Sequence, residues 1–394
     1  MPEKKRMKIA FVCDVIYPYV KGGVEKRVWE LAVRLAARGH DVHIFGMQYW
    51  DGDRILVKEG VILHGICPAR PLYANGRRTV GEALVFGLRL LPALVPYRFD
   101  IIDCQQFPFF SCFSAKALTM LRRTPLVITW HEVWGDEWYT YLGGGAGFFG
   151  KSVEWLVARL TSHVITVSPT TARRFITIGG TLATPIIPNG VDIRRIAAAP
   201  AAPDPSDIIF AGRLIREKHV DLLVEAYAVL SVAHPSLRLQ IIGEGPESDA
   251  VRELIRKKGF GNLVDIRDFV KEHDDLIAYM KASKVCVLPS TREGFGITAL
   301  EALACGLPVV TADRPANAIR DLITEETGFL CDLTADSLAQ AISGALGRYG
   351  AMKEHCIAAA SGYDWDCIAA ECEVNYRSVI NKRGPGVVGD GQTS

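Results

Sequence analysis

Short apolar, β-branched runs alternate with longer amphipathic stretches along this chain, and the whole alternation occurs twice. In the first half, residues 8–13, 41–45, 100–103, 126–129 and 163–167 have the compact hydrophobicity of buried strands. Residues 24–38, 80–91, 111–121 and 151–160 carry apolar positions at helical spacing. The pattern predicts right-handed βαβ units around a parallel sheet. Residues 54–57 and 61–64 read as an inserted hairpin turned at 58–60. The series restarts with strand 208–211, helix 219–232, strand 238–242, helix 247–258 and strand 263–266. Strand 285–288, helix 296–304, strand 308–311 and further helical segments follow.

Residues 197–205, AAAPAAPDP, have the composition of a semi-rigid linker. They divide the chain into a first domain, 1–196, and a second, 206–364. The expected fold class is α/β: two Rossmann-like, doubly wound parallel-sheet domains facing a central cleft, with a ligand at the C-terminal ends of the strands. The Gly-rich tail, 382–394, is expected to be disordered.

Composition narrows the class. With 394 residues, 49% hydrophobic and 23% charged, the chain has enough apolar surface for two globular cores. The charged start, 1–8, precedes too short an apolar run for a secretory signal. The longest apolar stretch, 83–97, is broken by Arg89, Pro92 and Pro96 and does not suit a bilayer span. Ten scattered cysteines without CxxC or zinc spacing favour a reduced, cytoplasmic setting. The net charge of +1 hides an asymmetry: residues 1–196 hold 25 Lys+Arg against 16 Asp+Glu, and residues 197–394 hold 20 against 28. A first half at +9 suits an anionic acceptor or the inner face of an anionic membrane, or is merely an uneven solvated surface. No nucleic-acid partner is expected.

The most informative stretch is 288–308, LPSTREGFGITALEALACGLP. A strand leads into a loop and then a helix, with Gly294 and Gly296 letting the backbone approach a ligand. The helix N-terminus, near Phe295, Gly296 and Thr298, offers free amides and positive dipole to a phosphate. Placed on a helix, Glu293 and Glu301 would lie about 80° apart and face one ligand. The alternative is one loop carboxylate and one exposed helix carboxylate. In 208–218, IIFAGRLIREK, a strand runs into Gly212, Arg213 and then Lys218, two cations suited to a diphosphate that gains charge as its sugar departs. Near the N-terminus, VIYPYVKGGVE (15–25) lacks GxGxxG, but Gly22 and Gly23 open a helix with bare amides. His131 stands just past a strand end.

Residues 293–301 resemble the ExFGxxxxE signature of the retaining family-4 glycosyltransferases, which have the two-Rossmann GT-B fold. The resemblance runs from Lys8 to about Ile380. It implies that Glu293 binds donor-sugar hydroxyls, Glu301 the nucleotide ribose, and Arg213 with Lys218 the diphosphate. It also implies that Gly22 and Gly23 face the donor phosphate and that His131 lies close to the transferred sugar. Ser168, Asn189, Gly243 and Val270 complete the expected cleft lining, although Ser168 and Asn189 also make ordinary caps or turns. As in the family, a final helix, 365–381, is expected to pack back on the first domain. Two departures are visible: Asp268 stands where glycine is usual, and 314–317 replaces an often glycine-containing region.

The expected activity is therefore hexosyl transfer from a UDP- or GDP-sugar to an acceptor hydroxyl, on a glycolipid or polysaccharide. No cofactor is expected, and Arg213 and Lys218 are expected to replace a metal. The two acidic pairs, Asp51/Asp53 and Asp364/Asp366, read as a turn and a helix cap rather than cation ligands. A non-catalytic nucleotide-sugar-binding subunit and a sugar-nucleotide epimerase are the rival readings. A Gly-rich segment, 143–150, reads as a mobile loop.

Overall fold

The computed structural model describes residues 5–74, 77–181, 184–270 and 272–382. The chain forms two compact units. One comprises Met1–Thr166, Phe175–Ile187 and Asp366–Ser394; the other comprises Val167–Arg174 and Pro188–Trp365. The tail beyond residue 382 lies outside the described residues.

The first unit runs β1 (Lys8–Val12), α1 (Gly23–Ala37), β2 (Asp41–Gln48), β3 (Ile55–Lys58) and β4 (Val61–Pro68). A two-residue ribbon, β5 (Tyr73–Ala74) and β6 (Arg77–Arg78), leads to α2 (Val80–Leu94), β7 (Ile101–Gln105), α3 (Phe110–Arg122) and β8 (Leu126–Trp130). Then come α4 (Glu137–Leu142), α5 (Gly144–Val157) and β9 (Val164–Thr166), followed by α6 (Pro169–Thr177), whose residues up to Arg174 belong to the second unit. The sheet order is β3-β4-β2-β1-β7-β8-β9, parallel except at β3, which pairs antiparallel with β4 as the hairpin reading expected. Every residue of β7 and β8 is buried, which explains their continuous rather than alternating hydrophobicity.

The second unit begins with α7 (Ile193–Ala198) and β10 (Ile208–Ala211), followed by α8 (Val220–Ala233), β11 (Leu239–Ile242), α9 (Ser248–Lys257) and β12 (Val264–Arg267). It continues with α10 (His273–Lys281), β13 (Val285–Leu288), α11 (Ile297–Ala304), β14 (Val309–Ala312), β15 (Gly328–Cys331) and α12 (Ala335–Ser361). All neighbours in the order β12-β11-β10-β13-β14-β15 are parallel. On α8, Leu223, Val224, Tyr227 and Leu230 make the buried stripe. On α12, Leu338, Ala341, Ile342 and Ala345 do the same, and the Thr334 hydroxyl accepts the Ser337 amide to start that helix.

Two features differ from the sequence reading. The 143–150 segment is not a loop: its glycines open α5. They permit close packing, because a Cβ on Gly147 would lie 2.7 Å from Tyr139 Cα and one on Gly150 2.6 Å from Trp138 Cε3. The units also do not divide at the 197–205 linker, since 167–174 and 188–196 belong with the second. The Thr170 amide and Arg173 guanidinium bond Asp321 at 2.7 and 2.8 Å, and Val191 and Tyr363 join backbones at 2.9 Å. The chain returns to the first unit through α13 (Trp365–Asn381), from Asp366 onward. Its Ile368, Ala369, Cys372 and Tyr376 form one buried helical face.

The ends of β10 and β11 approach so closely that Gly243 has no room for a side chain. A Cβ there would stand 1.8 Å from the Gly212 carbonyl oxygen. Gly243→Ala should therefore cost about 3 kcal/mol by forcing backbone apart, read as a lower urea midpoint for the second unit. An unchanged midpoint would show that the two strand ends separate freely.

Candidate functional site

In the second sheet, β10 and β13 are neighbours although two strands intervene in sequence. Their following loops diverge at this reversal of strand order, the place where doubly wound sheets take ligands. From β10 come Gly212, the exposed Arg213 and a 3₁₀ turn, Arg216–Lys218. From β13 comes the loop carrying Glu293.

Three contacts lock these loops together. Thr291 donates its amide and its hydroxyl to the Glu217 carbonyl at 3.0 and 3.3 Å. Arg292 lies 3.6 Å from the Glu217 carboxylate. Lys218 Nζ makes a close ion pair with Glu293 Oε1, which also accepts from the Ser290 hydroxyl at 3.1 Å. The backbone of Glu293 is clamped as well: its amide donates to Ala316 at 3.0 Å, and its carbonyl accepts from Ala318 at 2.9 Å. Asn317 anchors that bridge from a fully buried position, donating to Thr311 Oγ1 and the Ala312 carbonyl at 2.9 and 2.8 Å.

Glu293 is therefore a loop residue paired like a strand, and the helical angle drawn between it and Glu301 does not apply. Helix α11 starts only at Ile297. Its N-cap, Gly296, has φ +94°, and a Cβ there would meet Ile319 Cγ1 at 2.4 Å. Only glycine suits both constraints. Thr298 sits half-buried in the first turn, and Phe295 is buried with its ring 6.0 Å from that of Tyr363. Glu301, 3% exposed, meets His273 Nε2 at 3.1 Å. Each signature carboxylate thus has a basic side chain from the same unit against it.

Ser168 serves the same loop. Its hydroxyl donates to the Gly294 carbonyl at 2.8 Å while accepting the Thr171 amide at 2.9 Å, and Thr171 Oγ1 reaches the same carbonyl at 3.1 Å. One hydroxyl thus makes the cap and also holds the signature loop. Asn189 is buried near the bridge between Val191 and Asp364. Val270 is half-buried, and Asp268, the unexpected aspartate, pairs with Arg252 at 2.9 Å. Among the described residues no group of His, Cys, Asp and Glu is arranged to hold a metal.

In the first unit, Gly22 and Gly23 are exposed at the start of α1, with Glu25 folded back toward Gly22. His131 follows β8 and is buried, its Nε2 2.7 Å from Gln105 Oε1. Burial first, and the Arg27 charge second, depress its pKa to about 3, so the imidazole is neutral at physiological pH. A second polar cluster escaped the sequence reading: Asp14, just past β1, pairs with Arg78, which also meets Glu82 at 3.4 Å. Burial, then the Asp14 charge, raises Glu82 to about 7. Ser290, Asn317, His273 and Gln105 were likewise missed, because none carries a spacing signal and each matters only through what it touches.

Two Rossmann-type units, one with basic and acidic side chains facing each other at its switch point, define an enzyme that handles an anionic, hydroxyl-rich ligand. Residues 192–361 match the family described as glycosyl transferases group 1, and 21–195 match glycosyltransferase family 4. The chain is a nucleotide-sugar-dependent glycosyltransferase of the GT-B fold, its two halves matching these two glycosyltransferase families. It is 28% identical to a glycogen synthase of Mycobacterium tuberculosis over 96% of both chains. It is 30% identical to a GDP-mannose-dependent phosphatidylinositol dimannoside mannosyltransferase of the same organism over 52% of this chain and 55% of that one. In fold it is similar to sucrose-phosphate synthase from Thermosynechococcus elongatus, with a TM-score of 0.79 and 22% identity over 96% of this chain and all of that one.

Two outcomes test this geometry. Ser168→Ala removes one bond to the Gly294 carbonyl, worth about 1 kcal/mol, and should raise the donor KM roughly fivefold with kcat nearly kept; an unchanged KM would detach Ser168 from the loop. Because Glu82 holds its proton more tightly when folded, its stabilising contribution is full below pH 4.5 and is lost as pH rises through about 7. Glu82→Gln should therefore gain thermal stability relative to wild type across that window, whereas a pH-independent difference would contradict the raised pKa.

Proposed function

We propose that the protein transfers a hexose from a UDP- or GDP-sugar to an acceptor hydroxyl with retention of anomeric configuration. The Lys218–Glu293 pair at the switch point carries this reading. In the free protein the two charges neutralise one another. A donor diphosphate would draw Lys218 to itself, with Arg213 beside it, and leave Glu293 to accept sugar hydroxyls. Glu301 would hold the ribose, and the amides opening α11 at Gly296 would face the phosphate. Gly22, Gly23 and His131 of the first unit serve the same donor in this reading.

The acceptor oxygen attacks the anomeric carbon on the face from which the diphosphate leaves. As the sugar–phosphate bond breaks, the departing phosphate oxygen takes the acceptor's proton. Fixed cations stabilise the charge that builds on the leaving group, so positioning and electrostatics supply the acceleration. No metal enters this scheme.

The names of the relatives support a glycolipid or polysaccharide acceptor, since they include a glycogen synthase and a phosphatidylinositol dimannoside mannosyltransferase. On α5, Phe148 and Phe149 are 64% and 58% exposed, with Lys151 on the same helix, which supports peripheral contact with an anionic membrane. Among the described residues no helix is long and apolar enough to cross one.

Lys218→Ala should lower kcat roughly a hundredfold or more, and wild-type turnover should persist in EDTA. Full activity of the variant would remove Lys218 from the chemistry, and loss in EDTA would restore a cation. A melting screen with UDP- and GDP-sugars should single out one nucleotide, because a bound donor raises the midpoint. Anomeric analysis of the product reads the stereochemistry.

A further inference from the structure

The returning helix α13 reaches the buried histidine through a chain of hydrogen bonds inside the first unit. The Tyr376 hydroxyl donates to Asp103 Oδ2. Asp103 Oδ1 accepts from Thr129 Oγ1 at 2.8 Å and from Gln105 Nε2 at 3.2 Å. Gln105 Oε1 lies 2.7 Å from His131 Nε2, and the His131 amide is held at 3.0 Å by Gln106 Oε1. Tyr376, Asp103, Gln105 and His131 are all at least nine-tenths buried.

A carboxamide has one donating end and one accepting end. Asp103 collects donors from Tyr376, Thr129 and Gln105, which is the pattern of an ionised carboxylate. It therefore takes the amide end of Gln105 and turns the carbonyl end toward the imidazole. A carbonyl oxygen only accepts, so His131 must carry its proton on Nε2. Burial raises the Asp103 pKa, and the bonds from Tyr376, Thr129 and Gln105, together with the buried Arg27 of α1, oppose that shift, while Cys372, Tyr376 and Glu371 of α13 surround Arg27. A chain of this kind is costly to leave half-made in a dry interior and so holds one arrangement.

We propose that Tyr376, Asp103 and Gln105 are positioning residues that lock His131 in its neutral Nε2–H tautomer and orientation, so that α13 presets the histidine used on the donor. This rests on the proposed role of His131 in transfer. In a nucleophile–histidine–carboxylate site a misplaced imidazole proton is enough to lose most of the activity, and the same sensitivity is expected here.

Nitrogen-15 NMR of histidine-labelled protein reads the tautomer directly, with His131→Ala identifying the signal. Wild type should show a protonated Nε2 and a bare Nδ1, unchanged from pH 6 to 8. Gln105→Leu should give mixed tautomers and a kcat about tenfold lower or worse, with the donor KM within roughly twofold. Tyr376→Phe, a milder change that keeps the ring packed, should move both readouts the same way but less. A wild-type Nδ1–H tautomer, or an unmoved signal in Gln105→Leu, would overturn the positioning chain. Full turnover in His131→Ala would instead overturn the role of the histidine in the reaction, and the two failures are separately visible.

Discussion

The ion pair between Lys218 and Glu293 is the contact on which the chemistry proposed for the second unit depends. It joins the loops after β10 and β13, two strands that meet only because the sheet reverses its order there. An isolated half-buried pair contributes little net stability once desolvation is counted. Its value here is that both partners are held ready by other bonds: Glu293 by its backbone bridge with Asn317, and Lys218 by the loop tied through Thr291 and Glu217. In the proposed reaction the donor meets charges already in place, and little reorganisation is left for the moment of reaction.

Both signature carboxylates are met from within the second unit. Glu301 has His273 against it, as Glu293 has Lys218. Buried acceptors rarely stand without a partner, so a site meant to bind hydroxyls needs internal partners that a ligand can replace. Glycine completes the arrangement where backbone must come close, at Gly243 against Gly212 and at Gly296 against Ile319.

Much of the fold was legible in the sequence because parallel sheets are buried on both faces, and their strands read as unbroken apolar runs. The Glu293 and Glu301 signature was legible as spacing, but its geometry was not. A helical angle was drawn through a residue that lies in a bridge with Asn317, since loop backbone carries no periodic signal. The glycines of 143–150 misled for a related reason: Gly147 and Gly150 mark close packing on Tyr139 and Trp138, which sequence alone cannot tell from a flexible turn. Unit membership was blurred by side chains such as Asp321, which ties 167–174 to distant chain through bonds no composition shift betrays. The buried chain from Tyr376 to His131 was invisible because its members are far apart in sequence and each alone looks like an ordinary core polar residue.

The central claim is that one phosphorylated sugar donor engages these basic and acidic side chains together. A crystal structure of the protein with an unreacted UDP- or GDP-sugar tests it most directly. The account predicts Lys218 and Arg213 within hydrogen-bond distance of the diphosphate, Glu293 on sugar hydroxyls and Glu301 on the ribose, with Lys218 drawn off Glu293. A donor bound elsewhere, with the Lys218–Glu293 pair intact, would contradict it.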